Sequence, residues 1–163
     1  MDYKIIDNAF TKDVFNTIRD MVFGTEFPWY YADTVANKGV EDDHFYFTHT
    51  FYNHQQPNSD FFPKLLPMLN SDVFDIKAMI RIKGNLYPRT EKMLHHENHT
   101  DTSFKHKGAI WYMNTNNGYT ILKDGTKIES VENRVLLFDP GQSHNSTTCT
   151  DVKARININM NFL

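Results

Sequence analysis

Two histidines and one aspartate in the second half of the chain have the residue types and order of a metal site. They are His99 and Asp101, separated by a single threonine, and the later His144. Two imidazoles and one carboxylate can cover one face of a divalent ion and leave the opposite face open for other ligands. These donors suit Fe(II), whose redox chemistry needs open positions, but zinc accepts the same three ligands. The spacing predicts a reactive metal centre without choosing between the two metals.

Arg155 follows His144 by eleven residues and begins an alternating segment. One face of this predicted strand is apolar and carries Ile156, Ile158 and Met160. The other face is polar and carries Arg155, Asn157 and Asn159. A buried arginine needs a partner, and a dicarboxylate would supply one through a bidentate pair that lysine cannot copy. The alternative is a surface strand whose arginine is solvated.

The elements that must position these residues are mostly strands. A helix is predicted over residues 11–23, with Thr11 as its cap and Gly24 as its stop, and a second short helix over residues 60–69. Strands are predicted over residues 3–6, 45–52, 75–83, 108–114, 119–123, 126–131, 134–138 and 155–162. Asp124-Gly125 is a hairpin signal, and residues 116–118 have turn composition. Helices followed by short strands and tight turns predict a mainly β, antiparallel jelly roll with flanking helices.

Composition bounds the class of protein. The 163 residues suit one domain, with support from residues 1–75 and a catalytic core over residues 76–163. A net charge of −3 disfavours a nucleic-acid partner. The single Cys149 fits a reducing compartment, and neither a membrane-spanning run nor a signal peptide is evident. We therefore expect a cytoplasmic protein with no membrane partner, and its oligomeric state stays open.

The segment over residues 87–162 resembles the Fe(II)/2-oxoglutarate-dependent dioxygenases, and within them the prolyl-4-hydroxylase-like branch. The resemblance depends on the order and spacing of seven short pieces. These are Tyr87-Pro88, His99-Thr100-Asp101, residues 109–114, residues 118–120, residues 133–139, His144 and Arg155-Ile156-Asn157. The short layout is similar to the small members of this family in phage and bacterial genomes, which would place a phage-encoded protein in the host cytoplasm. The fold implied is the double-stranded β-helix, a cupin-like jelly roll.

The resemblance also implies roles for individual residues. The metal ligands, and hence the catalytic centre, would be His99, Asp101 and His144. The cosubstrate-binding residues would be Arg155, Tyr112, Tyr87 and Asn157. Arg155 and the Tyr112 hydroxyl would bind the C5 carboxylate of 2-oxoglutarate, and Asn157 would touch the cosubstrate or the arginine. For both tyrosines the alternative is core packing with a bonded hydroxyl.

The implied reaction uses Fe(II), 2-oxoglutarate and O₂, with ascorbate as an auxiliary reductant. It would hydroxylate a protein side chain such as proline, or a small molecule, and release succinate and CO₂. Halogenating relatives lack the ligand carboxylate, so Asp101 favours hydroxylation. The alternatives are a metal-binding cupin-like barrel without oxygenase activity and a structural jelly roll with coincidental histidines.

Two neighbouring features have open interpretations. His95 and Glu97 would share a face with His99 on a strand, and they would either support that ligand or be solvated. The aromatic run over residues 27–31 would form a core strand or line a substrate cleft.

Overall fold

The computed structural model describes residues 3–35 and 44–163. The elements in this part of the chain are β1 (Lys4–Ile6), α1 (Lys12–Phe23), β2 (Tyr30–Ala32), β3 (Tyr46–Asn53), β4 (Gln56–Pro57), a 3₁₀ helix (Phe62–Leu65), α2 (Leu66–Leu69), β5 (Met79–Pro88), β6 (Lys107–Tyr112), β7 (Asn116–Leu122), β8 (Lys127–Ser130), β9 (Val135–Phe138), β10 (His144–Ser146) and β11 (Ala154–Phe162).

The strands form two antiparallel sheets. The larger has the order β1-β9-β6-β11-β5-β3-β2, with β4 added to β3, and the smaller has the order β10-β7-β8. Strands β1 and β3 come from the first 75 residues and pair with β9 and β5 of the later part. This arrangement confirms the predicted mainly β jelly roll. None of the described helices is long and apolar enough to cross a membrane.

The predicted alternation of β11 decides where the core and the cavity lie. Its apolar side chains join the main hydrophobic core, together with Trp111 and the buried face of α1. Its polar side chains point to the opposite side of the sheet, where Arg155 is fully buried. Because neighbouring residues of a strand point to opposite faces, β11 contributes one face to the core beneath α1. Its other face contributes to the side of the sheet where Arg155 lies.

Helix α1 begins and ends as its sequence predicts. The Thr11 hydroxyl accepts a hydrogen bond from the Val14 backbone N–H, and Gly24 follows the last turn. Its buried face consists of Phe15, Ile18 and Val22. In the aromatic run that follows, Phe27 is buried in the core, as a core segment requires. Tyr30 and Tyr31 instead lie exposed on β2.

Three predictions of secondary structure were wrong in their bounds or in the type of element. The strand predicted over residues 75–83 is β5, which begins at Met79 and continues to Pro88 because both β3 and β11 pair with it. Residues 116–118 belong to β7 instead of a turn. The second helix is divided into a 3₁₀ turn and α2, and Pro67 contributes to the irregularity because it has no N–H to donate.

His49 on β3 gives the first testable prediction. Its buried ring contacts the Pro28 carbonyl through Nδ1 and the Ser59 hydroxyl through Nε2, each at 2.7 Å. Burial lowers the pKa of His49 below its ordinary value. Below about pH 6.5 the unfolded chain therefore takes up a proton that the folded chain refuses, and the free energy of unfolding falls until the pH passes the folded-state pKa.

Urea denaturation at pH 7.5 and pH 5.5 measures this effect. We expect His49→Gln to cost about 1–3 kcal/mol at the higher pH, because the two ring contacts are lost. The drop in stability between the two pH values should be smaller in the variant than in the wild type. An equal drop would show that the pKa of His49 is not lowered in the folded chain.

Candidate metal centre

A short backbone pairing brings the two histidines together. His99 and His144 form an isolated antiparallel bridge in which each N–H donates to the other's carbonyl, at 2.9 and 3.0 Å. Asp101 is anchored two residues later, where its N–H donates to the Pro140 carbonyl. The spacing of His99 and Asp101 is that of two residues on the same face of a strand. The structure has only this bridge at the same point, since residues 99–101 lie outside the named strands.

The three side chains converge on one point. The Asp101 Oδ1 atom lies 3.7 Å from His99 Nε2 and 3.9 Å from His144 Nε2. All three donor atoms lie within 4.8 Å of one another. Ligands about 2.0–2.2 Å from a common ion stand roughly 3–3.6 Å apart, so a small inward movement would complete the coordination.

The hydrogen bonds of the two imidazoles involve Nδ1 and leave Nε2, the nitrogen nearer Asp101, available to a metal. Nδ1 of His99 lies 3.3 Å from the Glu97 carbonyl, and Nδ1 of His144 lies 3.0 Å from the Gln142 carbonyl. A backbone carbonyl can only accept, so both Nδ1 atoms donate, and in the neutral rings both Nε2 atoms carry lone pairs. Among the described residues, the buried His144 Nε2 has no hydrogen-bond partner. A metal ion would satisfy this atom, and the donor set fits one.

Asp101 is held by residues that the sequence reasoning did not find. Its Oδ2 accepts a 2.8 Å hydrogen bond from Asn161 and lies 3.5 Å from Arg81 Nη2, which leaves Oδ1 to face the imidazoles. The Asn161 amide also contacts His106 Nε2 at 3.1 Å. The available signal was that Asn161 continues the polar face of β11. For His106 no spacing in the sequence indicated this position.

The electrostatics favour the protonation states that bind metal. Burial opposes the charge on Asp101, but Arg81, Asn161 and the two imidazoles outweigh it and lower the pKa of the carboxyl. Burial and the neighbouring His144 lower the pKa of His99. At neutral pH the site therefore presents a carboxylate and a neutral imidazole, which are the forms that metals bind.

Arg155 is a fully buried cation with an incomplete set of partners. Its Nε donates to the Ser130 hydroxyl at 2.8 Å and its Nη2 donates to the Thr120 hydroxyl at 3.2 Å. Its Nη1 is buried and has no hydrogen-bond partner within residues 3–35 and 44–163. The guanidinium lies 5.4 Å from the ring centroid of Tyr87 and 5.7 Å from that of Tyr112. A buried cation that has only neutral partners among the described residues is suited to an anionic ligand.

The other predicted cosubstrate residues surround this arginine with different contacts. Tyr112 is fully buried and its hydroxyl donates to Thr120 at 2.9 Å. Tyr87 stacks on His96 and on Tyr46, and burial raises the pKa of both Tyr87 and Tyr112.

Asn157 accepts a 3.0 Å hydrogen bond from the Asn85 amide. Among the described residues, the side chain of Asn157 is therefore hydrogen-bonded to Asn85 and not to Arg155. His95 and Glu97 are exposed, and it is the backbone carbonyl of Glu97 that contacts His99.

One cavity connects these groups. It has a volume of about 500 Å³ and is lined by all three candidate ligands. Thr120 and Tyr87, which contact Arg155, also line it, as do Lys83, Asn85 and Asn157. The metal ligands and the surroundings of the arginine therefore open into the same space.

Gly118 gives the second prediction, because there is no room for a side chain beside Arg155. A Cβ atom at this position would lie 2.7 Å from Arg155 Cδ and 2.7 Å from the Thr148 carbonyl oxygen. We expect Gly118→Ala to displace the guanidinium. If Arg155 anchors 2-oxoglutarate, as the resemblance implies, binding of 2-oxoglutarate should weaken by about tenfold or more, since charge-assisted pairs depend on alignment. Metal affinity should change little. Calorimetry with Mn(II), then 2-oxoglutarate, measures both.

Gly24→Ala is the matched control for that variant. Its Cβ would lie 3.1 Å from the Asp20 carbonyl oxygen at the end of α1. This change should lower stability and leave 2-oxoglutarate affinity unaltered. If both variants bind 2-oxoglutarate as the wild type does, the proposed packing around Arg155 is wrong.

The fold is shared with solved oxygenases. An oxidoreductase of the 2OG-Fe(II) oxygenase family from Burkholderia pseudomallei superposes with a TM-score of 0.76 at 13% identity, over 98% of this chain and 84% of the other. A Trichoplax adhaerens prolyl hydroxylase in complex with a hypoxia inducible factor peptide gives 0.67 at 12% identity, over 98% and 83%. A Pseudomonas putida prolyl-4-hydroxylase gives 0.60 at 14% identity, over 98% and 91%. The sequence matches no protein-family model and no curated protein. The chain thus has the double-stranded β-helix fold of these oxygenases.

Proposed function

We propose that the protein is an Fe(II)- and 2-oxoglutarate-dependent dioxygenase. The observation that carries the proposal concerns two of the buried polar atoms around one cavity that have no hydrogen-bond partner among the described residues. One is His144 Nε2, beside His99 and Asp101. The other is Arg155 Nη1, beside Thr120 and Tyr87. A metal and a dicarboxylate would complete both.

The residues of the chain would divide the work of binding. His99, Asp101 and His144 would hold the iron on one face and leave its other positions open. Arg155 would bind the C5 carboxylate, and Ser130 and Thr120 would keep its guanidinium aligned. When bound, iron and 2-oxoglutarate supply the activation of O₂ that is coupled to release of succinate and CO₂. The aromatic rings of Tyr87 and Tyr112 would exclude water from the buried end of the cosubstrate.

Hydroxylation is the outcome we propose, because Asp101 occupies the ligand position that halogenating enzymes leave to halide. The substrate would be a protein side chain such as proline, or a small molecule. The prolyl hydroxylases of the same fold, one of them in complex with a peptide, support the first class. The residues that line the cavity are relevant to the second class, a small-molecule substrate.

The alternative of a metal-binding barrel without oxygenase activity accounts for the three ligands and leaves Arg155 without a purpose. A structural jelly roll would need neither feature. Buried polar groups are normally satisfied. Among the described residues, a candidate ligand nitrogen and a guanidinium nitrogen at the same cavity are not, which argues against both alternatives.

The direct test uses purified protein, Fe(II), 2-oxoglutarate and ascorbate. Without any primary substrate we expect slow conversion of 2-oxoglutarate to succinate. Under anaerobic conditions, addition of Fe(II) and 2-oxoglutarate should give a visible chromophore, which zinc cannot produce. Absence of succinate, together with no metal or 2-oxoglutarate binding by calorimetry, would refute the oxygenase.

A further inference from the structure

Four cross-strand pairs of polar residues form the inner face of the larger sheet. Strands β5 and β11 place them opposite one another in register: Tyr87 and Arg155, Asn85 and Asn157, Lys83 and Asn159, Arg81 and Asn161. The pair at one end includes the proposed cosubstrate anchor. The pair at the other end contacts Asp101. Lys83 and Arg81 are therefore separated from Arg155 along the sheet and lie toward the metal site.

Lys83 and Arg81 line the cavity, and neither is fully satisfied there. The Lys83 ammonium donates to the Tyr46 hydroxyl at 3.2 Å and lies over the Tyr46 ring. Within residues 3–35 and 44–163 it forms no ion pair within 4.0 Å. Arg81 uses Nη2 for Asn161 and Asp101, while its Nε is buried without a partner.

The charges around the cavity do not balance when the proposed ligands are added. Among the described residues that line the cavity or contact its lining, Arg81, Lys83 and Arg155 are cations, and the one buried carboxylate, Asp101, lies beside Arg81. Fe(II) and doubly charged 2-oxoglutarate cancel each other, so the loaded cavity keeps an excess of positive charge, which the exposed Asp33 at its edge offsets only in part. Burial and the neighbouring Arg81 also lower the pKa of Lys83 to about 8, and the opposing effect of Asp101 is too small to cancel them.

We propose that the primary substrate is a small molecule with a free carboxylate, which binds at Lys83 and Arg81 beside the metal. This inference rests on the proposed function, because the cosubstrate must occupy the Arg155 end. The cavity volume of about 500 Å³ is in the lower part of the range for small-molecule sites. After 2-oxoglutarate is bound, the remaining space fits a metabolite better than a folded protein segment.

Binding measurements on the loaded protein test the proposal without turnover. The protein is saturated with Mn(II) and 2-oxoglutarate, and propionate, L-proline and benzoate are titrated by calorimetry, each against its carboxamide. We expect at least one carboxylate to bind about tenfold more tightly than its amide, since only the carboxylate can form charge-assisted hydrogen bonds. No preference for any carboxylate would overturn the proposal.

Three variants assign the effect to Lys83. Lys83→Met keeps the aliphatic stem and removes the charge, so carboxylate affinity should fall by about tenfold or more. Lys83→Arg should retain most of it, which also guards against a folding defect. Lys64→Met, on an exposed lysine of the 3₁₀ helix, should match the wild type throughout.

Failure of this proposal and failure of the proposed function would give different results. If Lys83→Met binds 2-oxoglutarate itself about tenfold more weakly, Lys83 serves the cosubstrate and the substrate proposal is wrong. If the variant binds carboxylates as the wild type does, the proposal is also wrong, while the oxygenase remains. If the wild type binds neither Mn(II) nor 2-oxoglutarate, the proposed function fails and this inference fails with it.

Discussion

Replacing Asp101 by alanine is expected to abolish succinate formation and to lower Fe(II) affinity by about 100-fold or more. The carboxylate is the one anionic donor among the three candidate ligands, and loss of even a residue that supports a ligand typically costs about 10–100-fold. The variant also leaves Asn161 and Arg81 without their shared acceptor. We therefore expect an additional loss of about 1–3 kcal/mol in the stability of the metal-free protein. Metal titration and urea denaturation measure the two effects separately.

Asp75→Ala is the matched control. Asp75 is an exposed carboxylate paired with Lys77 and Lys107, and it is not among the residues that line the cavity with the metal ligands. Exposed ion pairs contribute little to stability, so this variant should bind metal and form succinate as the wild type does. Wild-type Fe(II) affinity in Asp101→Ala would show that the three side chains do not form the metal site.

Replacing Arg155 by lysine should weaken 2-oxoglutarate binding by about tenfold or more while metal affinity is retained. The guanidinium is held by Ser130 and Thr120 through two different nitrogens, and its third nitrogen has no partner in the part of the chain that the structure describes. A single ammonium cannot reproduce this fixed arrangement of donors. Calorimetry with Mn(II), followed by 2-oxoglutarate, separates the cosubstrate from the metal.

Arg134→Lys provides the corresponding control. Arg134 forms a two-point ion pair with Asp7, at 2.6 and 3.1 Å, away from the cavity lining. The same chemical change there should leave 2-oxoglutarate affinity as in the wild type. If Arg155→Lys also binds 2-oxoglutarate normally, another cation is the anchor, and Lys83 would be the first to examine.

Some interpretations could be made from the sequence because they depend on local rules. The period of two in β11 predicted which side chains face the core and which face the opposite side, and helix α1 began and ended at its capping residues. The glycine of residues 116–118 was a misleading local signal. Turn composition suggested a loop, but Gly118 is required inside β7 because Arg155 and Thr148 press against it from other parts of the chain.

The support of the metal site could not be read in the same way. His106 lies only five residues after Asp101, yet it reaches that carboxylate through Asn161 of β11. Arg81 reaches it from β5, twenty residues earlier. Such contacts follow from strand register, which a single sequence does not specify when all the strands have similar alternation.

The sequence by itself determined the candidate donors, the polar face of β11 and the jelly-roll class, because residue type, spacing and alternation are local properties. Only the tertiary structure decided that His144 Nε2 and Arg155 Nη1 are both buried with no hydrogen-bond partner among the described residues. It also decided that Lys83 and Arg81 line the cavity near the metal ligands. Whether a polar atom is satisfied depends on every segment packed around it, and those segments come from positions far apart in the chain.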